Sequence, residues 1–275
     1  MVEAQLMGNL KDGREVYEAC APLDAQILAL KDKGIKAPYL ATPEEIALIR
    51  LDGVHTKWSR ISYAPAKVKD KPTIVTADSP YMNEAMARVA MEAHGLGEYP
   101  SLPDVFYEAL ENIAKRQSSL APEDRNVHVI EGKPKADGVI ILTPEMDDTK
   151  FLLKGLAKEY FERFNHNSVP FYDLPSDVPK GKTNVNYLWF GEPQYGSVLD
   201  AGVRGLHDGN RASGVLDKSA KGASQKTKSY NTTNVRDSVR TSVPELCSQT
   251  GLTGVEKIIA SLAEQIILRN LKRRR

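Results

Sequence analysis

Leu23, Ile27 and Leu30 recur at the spacing of one helix face, and Gly34 follows where a left-handed C-cap belongs, so the pattern predicts a first helix over 22–33. Thr42-Pro43-Glu44-Glu45 supplies an N-cap, a proline at the first helical position and acids on the positive end of the helix dipole. The helix they open should stop at Asp52-Gly53. From 54 to 77 the period changes to two: Ile61 and Tyr63 share one strand face, and Trp58, Arg60 and Ser62 share the other. Helical spacing returns in Met82, Met86, Val89 and Ala93 after Ser79-Pro80. It returns again in Val105, Ala109 and Ile113, flanked by Phe106 and Leu110, behind a capping box formed by Ser101 and Asp104.

Two short apolar runs, 127–131 and 138–142, are joined by Gly-Lys-Pro-Lys-Ala-Asp and read as a hairpin. Thr143-Pro144-Glu145 then opens a long helix to about Asn165, with Leu153, Ala157, Tyr160 and Phe164 on its apolar face. Prolines at 170, 175 and 179 break any period in the next stretch, where 186–190 is the one credible strand. At the far end Thr253 and Glu256 form a capping box ahead of Val255, Ile258, Ile259, Leu262, Ile266 and Leu271, an amphipathic helix running to the C-terminus. The sum is a mixed α/β (α+β) chain: a central mixed or antiparallel sheet covered by amphipathic helices, with a long irregular basic segment near the C-terminus.

That segment, 207–240, stands apart. Of its 34 residues 8 are apolar, 15 are Gly, Ser, Thr, Asn or Gln, and 7 are Lys or Arg. So little apolar surface cannot offset a backbone ordering cost of about 1–2 kcal/mol per residue, and the tract is expected to be mobile. It also lies in the basic part of a divided chain: residues 201–275 hold 14 Lys and Arg against 6 Asp and Glu, leaving a balance of −7 for residues 1–200. The organisation expected is an acidic body, 1–200, and a basic arm, 201–275, forming one structural domain with an extension.

A basic arm of this kind engages a polyanion or the acidic body of a neighbouring copy. The first reading gives a non-catalytic nucleic-acid-binding protein, single strands favoured, because basic residues are interleaved with aromatics that can stack on bases. The candidate contacts are Lys57, Trp58 and Arg60; Lys180, Lys182, Tyr187 and Trp189; and, in and beside the tract, Arg211, Lys218, Lys221, Lys226, Lys228, Tyr230, Arg236 and Arg240. The second reading is a structural subunit of a homo-oligomeric or viral-type assembly, whose arm reaches over the next copy.

Catalytic templates are largely unmet. Gly181-Lys182-Thr183 lacks the first glycine of a phosphate-binding loop, since position 176 is Ser176. No histidine pair has metalloprotease spacing, and no nucleophile elbow occurs. A third reading, a divalent-metal nuclease, would use Glu131 and Lys133 with Asp137, Asp147 or Asp148; Glu145 joins the last two in an acidic cluster. No cofactor is implied. Cys20 and Cys247 build neither a disulfide framework nor a zinc site. The first residues hold no apolar run of signal length, and no window nears the ~20 apolar residues of a membrane span, so a cytoplasmic location is expected.

Overall fold

The computed structural model describes residues 2–36, 38–77, 79–82, 87–88, 91, 101–135, 138–175, 178, 180–201 and 211–216. Along the chain run β1 (Gln5–Asn9), β2 (Glu15–Cys20), α1 (Leu23–Asp32), α2 (Pro43–Leu51), β3 (Ser59–Arg60), β4 (Ala64–Lys67), β5 (Ile74–Thr76) and β6 (Ser101–Pro103). They are followed by α3 (Val105–Gln117), β7 (Val127–Val129), β8 (Val139–Leu142), α4 (Asp147–Leu153), α5 (Ala157–Arg163), β9 (Val169–Tyr172), β10 (Lys182–Val185), β11 (Trp189–Phe190), β12 (Leu199–Asp200) and β13 (Arg211–Leu216). The class is mixed α+β, as the alternating periods require. The strands form two sheets, one of eight in the order β1-β2-β13-β3-β11-β12-β9-β8 and one of five in the order β6-β10-β4-β5-β7. The five-stranded sheet is antiparallel throughout; in the longer one the β13–β3 and β12–β9 pairs are parallel.

The first two helices lie where the pattern puts them. In α2 the Thr42 hydroxyl accepts the Glu45 N–H and the Glu45 carboxylate accepts the Thr42 N–H, a complete capping box. Gly34 and Gly53 follow the two helices at positive φ, 88° and 82°. Two cores result. Ile46, Ile49, Phe151, Leu152, Tyr160, Phe171, Leu188 and Phe190 gather in one, around α2, α4 and α5. Leu23, Ile27 and Leu30 of α1, Tyr107 and Leu110 of α3, and Tyr81, Val185 and Tyr187 gather in the other.

Several expected elements differ, each for a local reason. Runs 127–131 and 138–142 do not form a hairpin: β7 pairs with β5 in the five-stranded sheet and β8 with β9 in the eight-stranded one. The link crosses between sheets because the buried Asp148 carboxylate accepts the backbone N–H groups of Glu131 and Gly132. The long helix after Thr143 starts only at Asp147 and breaks at Lys154, whose φ of 52° cannot continue a right-handed helix. There the Lys154 ammonium folds back over the Phe151 ring and donates to the Arg125 carbonyl. Ser101–Pro103 is a strand, and Asp104 makes no side-chain cap, so the capping box at α3 is absent. α3 buries Tyr107 and Leu110 and leaves Val105 exposed.

Run 186–190 divides as well. β10 belongs to one sheet and β11 to the other, and Asn186, Tyr187 and Leu188 form the crossing, held by Asn186 Nδ2 donating to the Ala201 carbonyl. The largest correction falls in the basic tract. Residues 211–216, expected to be mobile, are a central strand between β2 and β3. Small side chains make this position possible: a Cβ on Gly214 would lie 2.6 Å from the Tyr39 carbonyl oxygen. The rest of the tract, the helix expected from Thr253 to the C-terminus, and Met86, Val89 and Ala93 lie outside the described residues. Among the described residues no helix is long and apolar enough to cross a membrane.

Candidate binding surface at one end of the long sheet

Register brings separate stretches of chain to one end of the eight-stranded sheet. Ser59 pairs with both Phe190 and Arg211, and Arg211 pairs with Cys20. Lys57 and Trp58, which precede Ser59, therefore lie at the same end of the sheet as Arg211, next to the turn that leaves β11. Trp58 lies against Gly191, where a Cβ would come within 3.0–3.2 Å of the indole ring. Glycine here is a close-approach residue, and it lets a partly exposed tryptophan lie against the sheet end. The turn continues through Pro193, Gln194 and Tyr195, the last 61 % exposed.

Beneath this surface sits a buried guanidinium. Arg50 of α2 donates from Nε to Thr56 Oγ1 (3.0 Å), from Nη1 to the Tyr160 hydroxyl (2.9 Å), and from Nη2 to the carbonyls of Phe190 (3.1 Å) and Lys57 (3.3 Å). It stacks on the Phe190 ring at 4.5 Å. Burial pushes its pKa down from the usual arginine value, with Tyr160 and Glu192 opposing. These bonds fix the backbone on which Lys57 and Trp58 stand.

The network continues outward. The Tyr160 hydroxyl lies 2.8 Å from Ser197 Oγ, and Ser197 Oγ lies 3.0 Å from His166 Nε2. His166 lines an open cavity of about 830 Å³ together with Thr143, Glu145, Lys150, Lys158 and Glu162.

The candidate contacts divide clearly. Lys57, Trp58 and Arg211 are brought together at this end; Lys57 is exposed, Trp58 and Arg211 partly so. Arg211 donates to Glu18 Oε2 at 2.6 Å. Lys180 and Lys182 are exposed, the latter on the other sheet. Arg60, Tyr187 and Trp189 are buried, at 0–1 % exposure, and so offer no face to a base. Tyr187 donates to the Tyr81 carbonyl inside one core, and the Arg60 guanidinium lies over Trp189 at 4.8 Å and donates to Gln26 Oε1. Both faces of that strand are covered, which alternation along it cannot reveal. Lys218, Lys221, Lys226, Lys228, Tyr230, Arg236 and Arg240 lie outside the described residues.

The acidic candidates have other duties. Asp148 Oδ1 accepts His128 Nε2–H at 2.7 Å and the Glu131 N–H, while Oδ2 accepts the Gly132 N–H. Its oxygens thus tie a strand end in place, with Glu131 and Lys133 exposed beyond it. Asp147 pairs with Lys150 at 3.5 Å, and Asp137 lies outside the described residues. Among the described residues no group of three His, Cys, Asp or Glu side chains is placed to hold a metal. Sequence reasoning missed Arg50, Tyr160, His166 and Ser197. Only the Gly-Glu-Pro-Gln-Tyr-Gly run at 191–196 signalled a turn, and nothing in the sequence tied it to α2 or α5.

No family model matches the sequence, and no curated protein matches it either. One solved structure, described as the accommodation of massive sequence variation in Nanoarchaeota by the C-type lectin fold, is similar in fold. It aligns over 74 % of this chain and 96 % of that one, at 17 % identity and a TM-score of 0.50. At that identity the likeness concerns architecture alone.

Proposed function

We propose that the chain is a non-catalytic nucleic-acid-binding protein. Its body meets the ligand through the sheet end bearing Lys57, Trp58 and Arg211, and its basic last quarter neutralises further phosphates. The observation that carries the reading is the register that sets Ser59, which follows Lys57 and Trp58, level with Arg211 at one end of the long sheet. Two cations and a tryptophan on a rigid base provide phosphate contacts and a stacking platform at about 1–3 kcal/mol per base. The solved neighbour's fold is described as accommodating massive sequence variation. A body of that architecture, held together by its cores, leaves its surface residues free to be shaped for recognition.

Fluorescence anisotropy with a labelled single-stranded oligonucleotide of about 20 nucleotides tests it. Affinity should fall steeply between about 50 and 200 mM salt. The double variant Lys57→Glu, Trp58→Ala should weaken binding at both salts and flatten the dependence by about 0.7 in slope for each phosphate interaction removed. A flat response in the unaltered protein, or no binding at low salt, removes the proposal.

The division of charge, −7 over 1–200 against +8 over 201–275, favours a second reading in which the basic quarter docks on the acidic body of another copy. Light scattering of nucleic-acid-free protein separates the two: a large oligomer that dissolves in salt supports assembly.

A further inference from the structure

Ser197, at the end of the loop 191–197, touches the side chain of His166 just beyond α5. Ser197 is fully buried and sits at φ 52°, following Gly196 at 80°; Asn165, immediately before His166, sits at 53°. Non-glycine residues seldom adopt such backbone, so both loops are constrained where they touch. The contact is the 3.0 Å bond between Ser197 Oγ and His166 Nε2.

One assignment gives every hydrogen an acceptor: Arg50 Nη1 donates to the Tyr160 oxygen, the Tyr160 O–H donates to Ser197 Oγ, and the Ser197 O–H donates to a neutral His166 Nε2. In that direction the bond needs a neutral imidazole with an unprotonated Nε2, and protonation reverses it, Nε2–H then donating to Ser197 Oγ. A protonated ring presents N–H at Nε2, which orphans the Ser197 hydrogen in a buried place and sets a second positive charge three hydrogen bonds from Arg50.

We propose that His166 is a pH-sensitive latch: neutral, it accepts the Ser197 hydroxyl and closes the 191–197 loop onto the α5–β9 corner, and on protonation it releases that loop. The cavity of about 830 Å³ beside His166 admits solvent protons. His166 titrates below the usual histidine value, chiefly because it is partly buried and secondly because of the Arg50 charge. Of the charged and titratable groups near it, Glu145, Lys150, Lys158 and Glu162 line the same cavity, Tyr160 and Arg50 connect to it through Ser197, and Glu192 of the loop acts on Arg50. The latch does not depend on the ligand proposed above, so the test uses the free protein.

Hydrogen exchange of the full chain, corrected for intrinsic rates, is read at pH 7.5 and pH 5 in the peptide spanning 191–198. Amides protected there include those of Gly191, Tyr195, Gly196 and Ser197. Protection should fall at least tenfold at pH 5 relative to the amides of α1. In His166→Gln, whose side-chain carbonyl accepts at any pH, the loop should show one protection level at both. If that variant does not fold, Ser197→Ala should likewise show no pH dependence, with the loop open throughout. An unchanged loop in the unaltered protein overturns the latch, as does an equal loss of protection in His166→Gln, which would assign the effect to the neighbouring carboxylates.

Discussion

Replacing Asp148 with alanine removes an anchor used by three donors at once. The carboxylate is 1 % exposed and accepts His128 Nε2–H at 2.7 Å, the Glu131 N–H at 3.0 Å and the Gly132 N–H at 2.9 Å. His128 cannot turn elsewhere: it is 2 % exposed, its ring stacks on Phe151 at 5.0 Å, and its Nδ1 accepts from Arg125 at 3.2 Å. A buried donor left without a partner costs about 1–3 kcal/mol. The two backbone groups lie nearer the surface and belong at the low end of that range, so the total should come to about 3–5 kcal/mol. For a chain of this size that corresponds to a Tm lower by roughly 10 °C. Asp148→Asn keeps one acceptor but turns an amide N–H toward a backbone N–H, and should cost about 1–3 kcal/mol. Asp147→Ala is the control, since its 3.5 Å pair with Lys150 is largely solvated and should matter by less than about 0.5 kcal/mol. Urea unfolding followed by circular dichroism gives all three values. Equal stability of Asp148→Ala and Asp147→Ala would falsify the assignment of Asp148 as the tie between the two sheets.

Further substitutions test other joints of the fold. Thr42→Ala removes the α2 capping box and should cost about 1 kcal/mol in the same urea assay, with little change in the slope. Gly214→Ala forces a methyl to within 2.6 Å of the Tyr39 carbonyl oxygen in the central strand β13, and should destabilise by about 1–3 kcal/mol. An exposed position in a mobile tract would tolerate it. Tyr160→Phe takes the only hydroxyl between Arg50 and Ser197, leaves a charged N–H unpaired in the core, and should cost about 1.5–3 kcal/mol by thermal unfolding. Gly191→Ala should displace the indole of Trp58, seen as a red shift and quenching of its emission, without an equivalent drop in stability.

Much of the architecture was legible where one chemical device decides locally. Thr42-Pro43-Glu44-Glu45 predicts its helix because cap, proline and acids act within four residues, and α1 follows from a stripe of three apolar side chains. What failed were the inferences about which element lies beside which. Two apolar runs with a Gly- and Lys-bearing link look like a hairpin, yet β7 and β8 part because Asp148, 16 residues after Gly132, captures the amides of the link. The strand Arg211–Leu216 was hidden for a different reason. Its Ala, Ser and Gly bury little apolar area, and their value is in letting β2 and β3 approach from both sides, which composition does not register.

The two tryptophans show how far the functional reading can travel on sequence. Each lies in a basic, aromatic stretch at a strand of the same pair, and β3 and β11 bring the stretches level through Ser59–Phe190 and Arg60–Trp189. A small difference of register separates their fates. Trp189 is inside the ladder, under Arg60 and covered on both sides, so its aromatic area supports the fold. Trp58 is one step beyond the ladder, opposite a glycine, and is partly open to solvent. Under the proposed reading, a stacking platform at this end of the sheet would come from the residues at which the ladder stops, Trp58 and the exposed Tyr195, with Lys57 and Arg211 as its cations. Tyr187 and Trp189, equal candidates by composition, are removed by that geometry, and of the aromatic candidates read from the sequence Trp58 alone is partly exposed among the described residues.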